Sequence, residues 1–128
     1  GEADYCASTG GDMGKASLAY GRGKIISAAA LYNTLALDGV WLDFRDPDGC
    51  REETLYVKTM GFKGRFAIHP DQIKPIHDAY RPTTEELEWA KGVLEEAKTA
   101  GSGAFKYQGK MVDAPVLAVA RLIISRED

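Results

Sequence analysis

An alternation of helical and short apolar runs between residues 20 and 80 constrains the fold of this chain more than any other feature. Helical periodicity predicts a largely buried helix over residues 20–37. Residues 40–44 are rich in β-forming side chains and too few for a helix, so they predict a buried strand. A second helix that stops at Gly61 is followed by a second predicted strand over residues 65–68. This order is typical of βα units with a parallel sheet, which places the chain in the α/β class.

Proline, aspartate and glycine divide these elements. Residues 46–49 read Asp-Pro-Asp-Gly, which predicts a surface turn. His69 precedes Pro70 and is therefore expected to end the second strand, where it would make structural hydrogen bonds, while Pro70 opens a helix. Residues 21–23 lack the third glycine of a dinucleotide fingerprint and are interpreted as a helix start.

The pattern changes after Tyr80. Thr83 with Glu86 predicts a capping box at the start of a long amphipathic helix that Gly101 ends. Residues 105–111 predict a hairpin or loop, and Asp113 is placed to cap a last, strongly apolar helix.

Length and charge exclude several classes of protein. A chain of 128 residues is the size of one domain and is too short for a self-contained (β/α)8 barrel, which needs about 250 residues. The net charge of −3 and the pI near 5.4 lack the basic signature of a nucleic-acid binder. We find no apolar run of membrane-spanning length and no signal peptide, so we predict a cytoplasmic protein without membrane contact. Cys6 and Cys50 are interpreted as reduced thiols, although one disulfide is compatible with the sequence.

Known ligand-binding motifs are incomplete in this sequence. A phosphate-binding loop over residues 10–17 would need glycine at Thr9 and a hydroxyl residue at Ala16. His69 and His77 have no third ligand at zinc spacing. A generic nucleotide-binding domain is therefore a disfavoured interpretation.

Five short stretches stand in a fixed order along the chain. They are residues 1–5 (Gly-Glu-Ala-Asp-Tyr), residues 36–43, residues 61–64 with 68–73, Pro82 with Glu85 and Glu86, and residues 109–115. Together they resemble the citrate lyase beta-subunit-like family, which is aldolase-like and includes malyl-CoA and citramalyl-CoA lyases. The resemblance spans nearly the whole chain.

The resemblance implies a part of a (β/α)8 barrel. Residues 1–80 would carry about strands six to eight, with Asp4 at the end of the sixth strand, the strand at residues 40–44 as the seventh and that at residues 65–68 as the eighth. Residues 81–128 would form a helical carboxyl-terminal extension that acts as a lid or oligomerisation segment.

The resemblance also implies an activity. Members cleave a C–C bond in a 3-hydroxyacyl thioester of the citryl-, malyl- or citramalyl-CoA type, which yields an acyl thioester and an oxo acid. Asp4 would be a ligand of Mg²⁺, the backbone at Glu2 and Ala3 would bind substrate, and Asp113 would act catalytically in a neighbouring subunit's site. The thioester carrier is CoA or an acyl-carrier protein, and the assembly is a homo-oligomer, a trimer or hexamer.

The family's second metal ligand, a glutamate, and its substrate-binding arginine match no residue of this chain, so the 128-residue chain alone is expected to be inactive. Asp4 could instead cap a turn, and Asp113 could serve only as a helix cap. The alternative function is a non-catalytic relative that provides an oligomerisation or regulatory surface.

Overall fold

The computed structural model describes residues 1–101 and 103–127. The chain forms two compact units, a first unit from Gly1 to Tyr80 and a second unit that begins at Arg81. In the described residues no helix combines the length and apolar character needed to cross a membrane. The elements of the first unit are α1 (Glu2–Thr9), α2 (Lys15–Leu31), β1 (Leu37–Asp38), α3 (Pro47–Met60), β2 (Gly64–Arg65), a 3-10 turn (Pro70–Gln72) and α4 (Ile73–Tyr80).

Two short strands form a parallel pair in the first unit. Leu37 is opposite Gly64, and Asp38 is opposite Arg65. The predicted parallel pairing is confirmed, with α3 between the strands. The strand predicted at residues 40–44 is wrong in position, because pairing ends at Asp38 and the following backbone bonds to side chains instead.

Helix α1 corrects the position expected for Asp4. The expectation placed Asp4 at the end of a strand, whereas it lies in the first turn of a helix that runs from Glu2 to Thr9. A strand needs a neighbouring strand for its backbone hydrogen bonds, whereas a helix forms them internally. The strands β1 and β2 pair with each other, and this segment forms a helix instead. Gly10 ends the helix with a φ of 75°.

Two helix boundaries differ from the sequence prediction. Helix α2 begins at Lys15, so residues 21–23 lie inside it and are not a helix start, and it ends at Leu31 before the predicted end. The predicted turn at residues 46–49 is the first turn of α3, where the Asp46 carboxylate accepts from the Gly49 N–H at 2.9 Å. Aspartate and proline favour a helix N-terminus as strongly as a turn, which explains this error.

Other boundaries are confirmed. Helix α3 stops at Gly61, which has a φ of 117° that favours glycine. The core beside it contains Ala29, Ala36, Val57 and Phe62. Cys6 and Cys50 are buried free thiols, as predicted, and burial raises the pKa of the Cys50 thiol, which keeps it protonated at neutral pH.

The second unit follows its predicted order. It contains α5 (Thr84–Ala100), β3 (Phe105–Tyr107), β4 (Lys110–Val112) and α6 (Ala114–Ile124). The capping box is confirmed, since Thr83 Oγ1 accepts from Glu86 N at 3.1 Å and Glu86 Oε2 accepts from Thr83 N at 2.9 Å. Positive φ at Gln108 and Gly109 makes the hairpin turn type I′. Its core contains Ala90, Val93, Val112 and Ala120.

Candidate functional site

A buried ionic network lies at the paired strands of the first unit. Asp38, which is 3% exposed, accepts from two arginines. Arg22 donates from Nε to Oδ1 and from Nη2 to Oδ2, both at 3.0 Å. Arg65 donates from Nη2 to the same Oδ2. One carboxylate thus binds two buried guanidinium groups.

Glu53 supplies the second negative charge of this network. Arg22 Nη1 donates to Glu53 Oε1 at 2.9 Å, and Lys15 Nζ lies 3.6 Å from Glu53 Oε2. Burial works to lower the pKa of Arg22, but the charges of Asp38 and Glu53 and their hydrogen bonds outweigh it, so the pKa is raised. The positive charges of two arginines therefore balance the negative charges of two carboxylates in the buried part of the network.

The fold explains why these charges meet. Arg22 lies four residues from Leu18 and four from Ile26, so it is on the inward face of α2. Asp38 and Arg65 are register partners across the parallel pair, which places their side chains on one face of the sheet.

Gln72 joins the segments that follow the two strands. Its Nε2 donates to the Trp41 carbonyl at 2.6 Å, its Oε1 accepts from Ile68 N at 2.9 Å, and the residue is 1% exposed. The loops beyond β1 and β2 are therefore held by one side chain. His69 Nδ1 accepts from Asp71 N at 3.3 Å at the start of the 3-10 turn, which confirms the structural hydrogen bond predicted for this histidine. The strand predicted over residues 65–68 is wrong in its bounds, because β2 is Gly64–Arg65 and His69 does not end it.

Replacing Gln72 with alanine is expected to lower the free energy of unfolding of the first unit by about 2 kcal/mol, because two backbone groups lose their partner. Gln72→Glu keeps the acceptor for Ile68 N but turns a buried carboxylate oxygen toward the Trp41 carbonyl oxygen, so we expect a loss at least as large as that of the alanine variant. Urea unfolding followed by Trp41 fluorescence in a Trp89→Phe background measures both. A Gln72→Ala variant as stable as the parent would contradict this assignment.

Two cavities border the network. The first has a volume of about 540 Å³ and mainly apolar walls, with Arg22 and Asp38 among its lining residues. The second, of about 260 Å³, is bordered by Trp41, Glu53 and Arg65. The residues shared by both cavities are Glu2, Leu18, Arg22 and Val40.

The structure brings one predicted site residue to these cavities. Glu2 lines both, and its carboxylate packs against Gly39 just beyond β1. Ala3 is exposed, and the Asp4 side chain is 97% exposed and lines neither cavity. Asp113 belongs to the second unit, where its Oδ1 accepts from Val116 N at 3.4 Å and caps α6 as predicted.

The described residues contain no group of three or more His, Cys, Asp or Glu side chains arranged to hold a metal ion. Arg22, Arg65 and Gln72 were not predicted as site residues. The available signal was an arginine inside an apolar helix stripe, which requires a buried counter-charge.

These features place the chain in the α/β class of proteins. Its first unit has a parallel strand pair, and its second unit is mainly helical. Over residues 24–127 the chain matches the family described as C-C bond lyases of the TIM-barrel fold, and it belongs to that family. The resemblance read from the sequence is thereby confirmed.

Similar curated proteins are named as lyases or lyase-like proteins. The chain is 36% identical to the mitochondrial citramalyl-CoA lyase of Rattus norvegicus over 95% of its own length and 38% of that protein. It is 42% identical to a citrate lyase subunit beta-like protein of Mycobacterium tuberculosis over 82% of its length and 38% of that protein. The chain thus spans about two fifths of these relatives, and they do not favour the non-catalytic alternative.

A solved structure has a similar fold. Protein CitE of Mycobacterium tuberculosis, crystallised with magnesium, acetoacetate and coenzyme A, superposes with a TM-score of 0.78 at 36% identity. The match covers 94% of this chain and 48% of that one. A citrate lyase from Burkholderia xenovorans, 20% identical with a TM-score of 0.78, supports the fold alone.

Proposed function

We propose that this chain is the carboxyl-terminal part of a barrel-shaped C–C lyase that acts on a 3-hydroxyacyl thioester. The observation that carries the proposal is the 36% identity to a citramalyl-CoA lyase over 95% of the chain. Residues 1–80 would contribute about strands six to eight of the barrel, and residues 81–128 the extension. The unit division at Tyr80 supports this assignment.

Exposed apolar side chains beside the short sheet support a larger barrel. Leu37 is 44% exposed, Phe66 57% and Ile68 54%. Parallel sheets are normally covered on both faces, and two strands of two residues leave most of that surface open. Further barrel strands and helices would cover these residues.

The proposed reaction is a retro-Claisen or aldol cleavage. A base removes the proton of the 3-hydroxyl group, the bond between C2 and C3 breaks, and its electron pair forms the enolate of the thioester. Protonation of that enolate at C2 gives the acyl thioester, and C3 becomes the carbonyl of an oxo acid.

Mg²⁺ is the proposed cofactor, and the residues present fit it in part. Mg²⁺ uses one or two carboxylates together with water and substrate oxygens, and Asp4 offers an accessible carboxylate. When bound, the ion polarises the carbonyl oxygen of the oxo acid. At least one further protein ligand would come from outside the described residues.

The chain's own residues have distinct proposed roles. Asp4 would hold the metal, and the backbone N–H groups of Glu2 and Ala3 would bind the substrate carboxylate. Asp113 would move the proton of the hydroxyl or of C2, from an extension that closes over the site of a neighbouring subunit. This arrangement requires a homo-oligomer, a trimer or hexamer, with the acyl group carried by CoA or an acyl-carrier protein.

The test of this proposal uses Asp113 in a protein with the complete barrel. Asp113→Asn removes the charge but keeps a helix cap, because asparagine caps as well as aspartate. We expect turnover of malyl- or citramalyl-CoA to fall about a hundredfold or more at unchanged stability.

Asp113→Ala is the matched variant. It should lose the same turnover and also about 1 kcal/mol of stability, since the Val116 N–H then lacks its partner. An Asp113→Asn enzyme with parental turnover would limit this residue to its role as a cap.

A further inference from the structure

Gly39 lies directly beyond β1, where helix α1 approaches the strand pair. The Glu2 carboxylate lies against it, and a Cβ atom at residue 39 would overlap both carboxylate oxygens and Cδ. The φ of Gly39 is outside the left-handed region, so its backbone accepts alanine without strain. The missing side chain at residue 39 therefore serves the close approach of Glu2 and not a special backbone conformation.

The backbone before Gly39 is held by the strand pair. The Asp38 carbonyl accepts from Phe66 N at 3.1 Å, and this carbonyl belongs to the peptide group that joins Asp38 to Gly39. The Asp38 side chain is fixed as well, because it accepts from both Arg22 and Arg65. The Glu2 carboxylate thus packs on a surface that the buried ionic network keeps in place.

One face of α1 packs on the first unit. Glu2, Tyr5 and Cys6 are three or four positions apart, so their side chains share a face of the helix. The Tyr5 ring lies against Gly21 of α2, and Cys6 is 5% exposed. The Asp4 side chain is outside this face and is exposed. Glu2 is therefore the packing contact at the amino-terminal end of α1, two positions before Asp4.

We infer that the contact between Gly39 and the Glu2 side chain positions the amino-terminal end of α1, and with it Asp4. The inference rests on the proposed function in taking Asp4 as a ligand of Mg²⁺. A methyl group at residue 39 would push the Glu2 carboxylate away and move the first turn of α1. Gly39 is a positioning residue, because it acts on the metal only through Glu2 and α1.

The first measurement follows the amide ¹H–¹⁵N NMR signals of Ala3 and Asp4 in the 128-residue chain. We expect Gly39→Ala to shift both signals. Gly23→Ala is the matched control, since a Cβ at this position of α2 meets no atom within 4 Å, and it should leave both signals in place.

A double variant tests whether the carboxylate transmits the effect. In a Glu2→Ala background the methyl group at residue 39 meets no carboxylate, while the backbone N–H of residue 2 is kept. The Ala3 and Asp4 signals of Gly39→Ala with Glu2→Ala should therefore coincide with those of Glu2→Ala alone.

The second measurement uses a protein with the complete barrel and follows metal binding without turnover. Mn²⁺ takes the same oxygen ligands as Mg²⁺, and its Kd is read by electron paramagnetic resonance. We expect Gly39→Ala to raise this Kd at least about tenfold, the effect typical of losing a group that orients a metal ligand. In the Glu2→Ala background the same substitution should change the Kd less than about twofold, because the two residues act as one contact.

The dependence of the initial rate on Mg²⁺ separates positioning from a general loss of structure. Gly39→Ala should raise the half-saturating Mg²⁺ concentration by the same factor as the Kd. The kcat at saturating Mg²⁺ should stay within about twofold, because excess metal fills a weaker site by mass action. A purely structural defect would instead lower kcat through the folded fraction and leave the half-saturating concentration unchanged.

Unmoved Ala3 and Asp4 signals in Gly39→Ala, an unchanged Kd for Mn²⁺, or equal effects with and without the Glu2 side chain would each overturn the inference. Failure of the proposed function looks different. Parental Mn²⁺ binding and turnover in Asp4→Asn would remove the metal role of Asp4, and the amide signals alone would then decide whether Gly39 positions α1.

Discussion

Replacing Asp38 with alanine is expected to lower the free energy of unfolding of the first unit by about 3–5 kcal/mol. Asp38 is the shared acceptor of Arg22 and Arg65, whose side chains are 6% and 1% exposed. Removal leaves two guanidinium groups buried beside one remaining carboxylate, Glu53. The loss is large compared with the 5–15 kcal/mol typical of a whole domain.

Urea unfolding followed by Trp41 fluorescence, with Trp89→Phe as parent, isolates the first unit. Asp48→Ala removes an exposed aspartate and is the matched control, with an expected loss below about 1 kcal/mol. The double variant Arg22→Met with Asp38→Leu should be more stable than Asp38→Ala, because an apolar pair leaves less unbalanced charge. A loss below 1 kcal/mol for Asp38→Ala would mean that water reaches the network.

Replacing Asp4 with asparagine should abolish metal-dependent turnover in a protein with the complete barrel. We expect kcat/KM to fall at least about a hundredfold, which corresponds to about 2.7 kcal/mol of transition-state stabilisation, because the amide is a poor ligand for Mg²⁺. The Asp4 side chain is 97% exposed, so the substitution should leave stability unchanged.

The measurement is the initial rate of thioester cleavage as a function of Mg²⁺ concentration. Asp71→Asn, also an exposed aspartate, is the control and should match the parent. Full Mg²⁺-dependent activity of Asp4→Asn would refute the role of Asp4 as a metal ligand.

Local chemistry predicted the ends of several elements. The Thr83 and Glu86 pair, the Asp113 cap and the stop at Gly61 all depend on residues within a few positions of each other. Such signals are present in the sequence itself, which is why the second unit was predicted well. The Asp46 cap shows their ambiguity, because the same residues begin either a turn or a helix.

The candidate site was not predictable in the same way. Arg22 meets Asp38 across 16 positions, Arg65 meets it across 27, and Gln72 meets Trp41 across 31. No local pattern reports such pairs. The position of β1 was missed for a related reason, since apolar residues 40–44 fit a strand locally but the pairing register with β2 ends at Asp38.

The parallel pairing of β1 with β2 also orders the events of folding. A parallel pair needs a long crossover, so Asp38 and Arg65 meet only after the chain closes a loop of 27 positions. The β3–β4 hairpin closes through a two-residue turn, an event on the scale of about 1–10 μs. The ionic network should therefore form late, after α3 has docked, and its charges spend the early stages of folding in water.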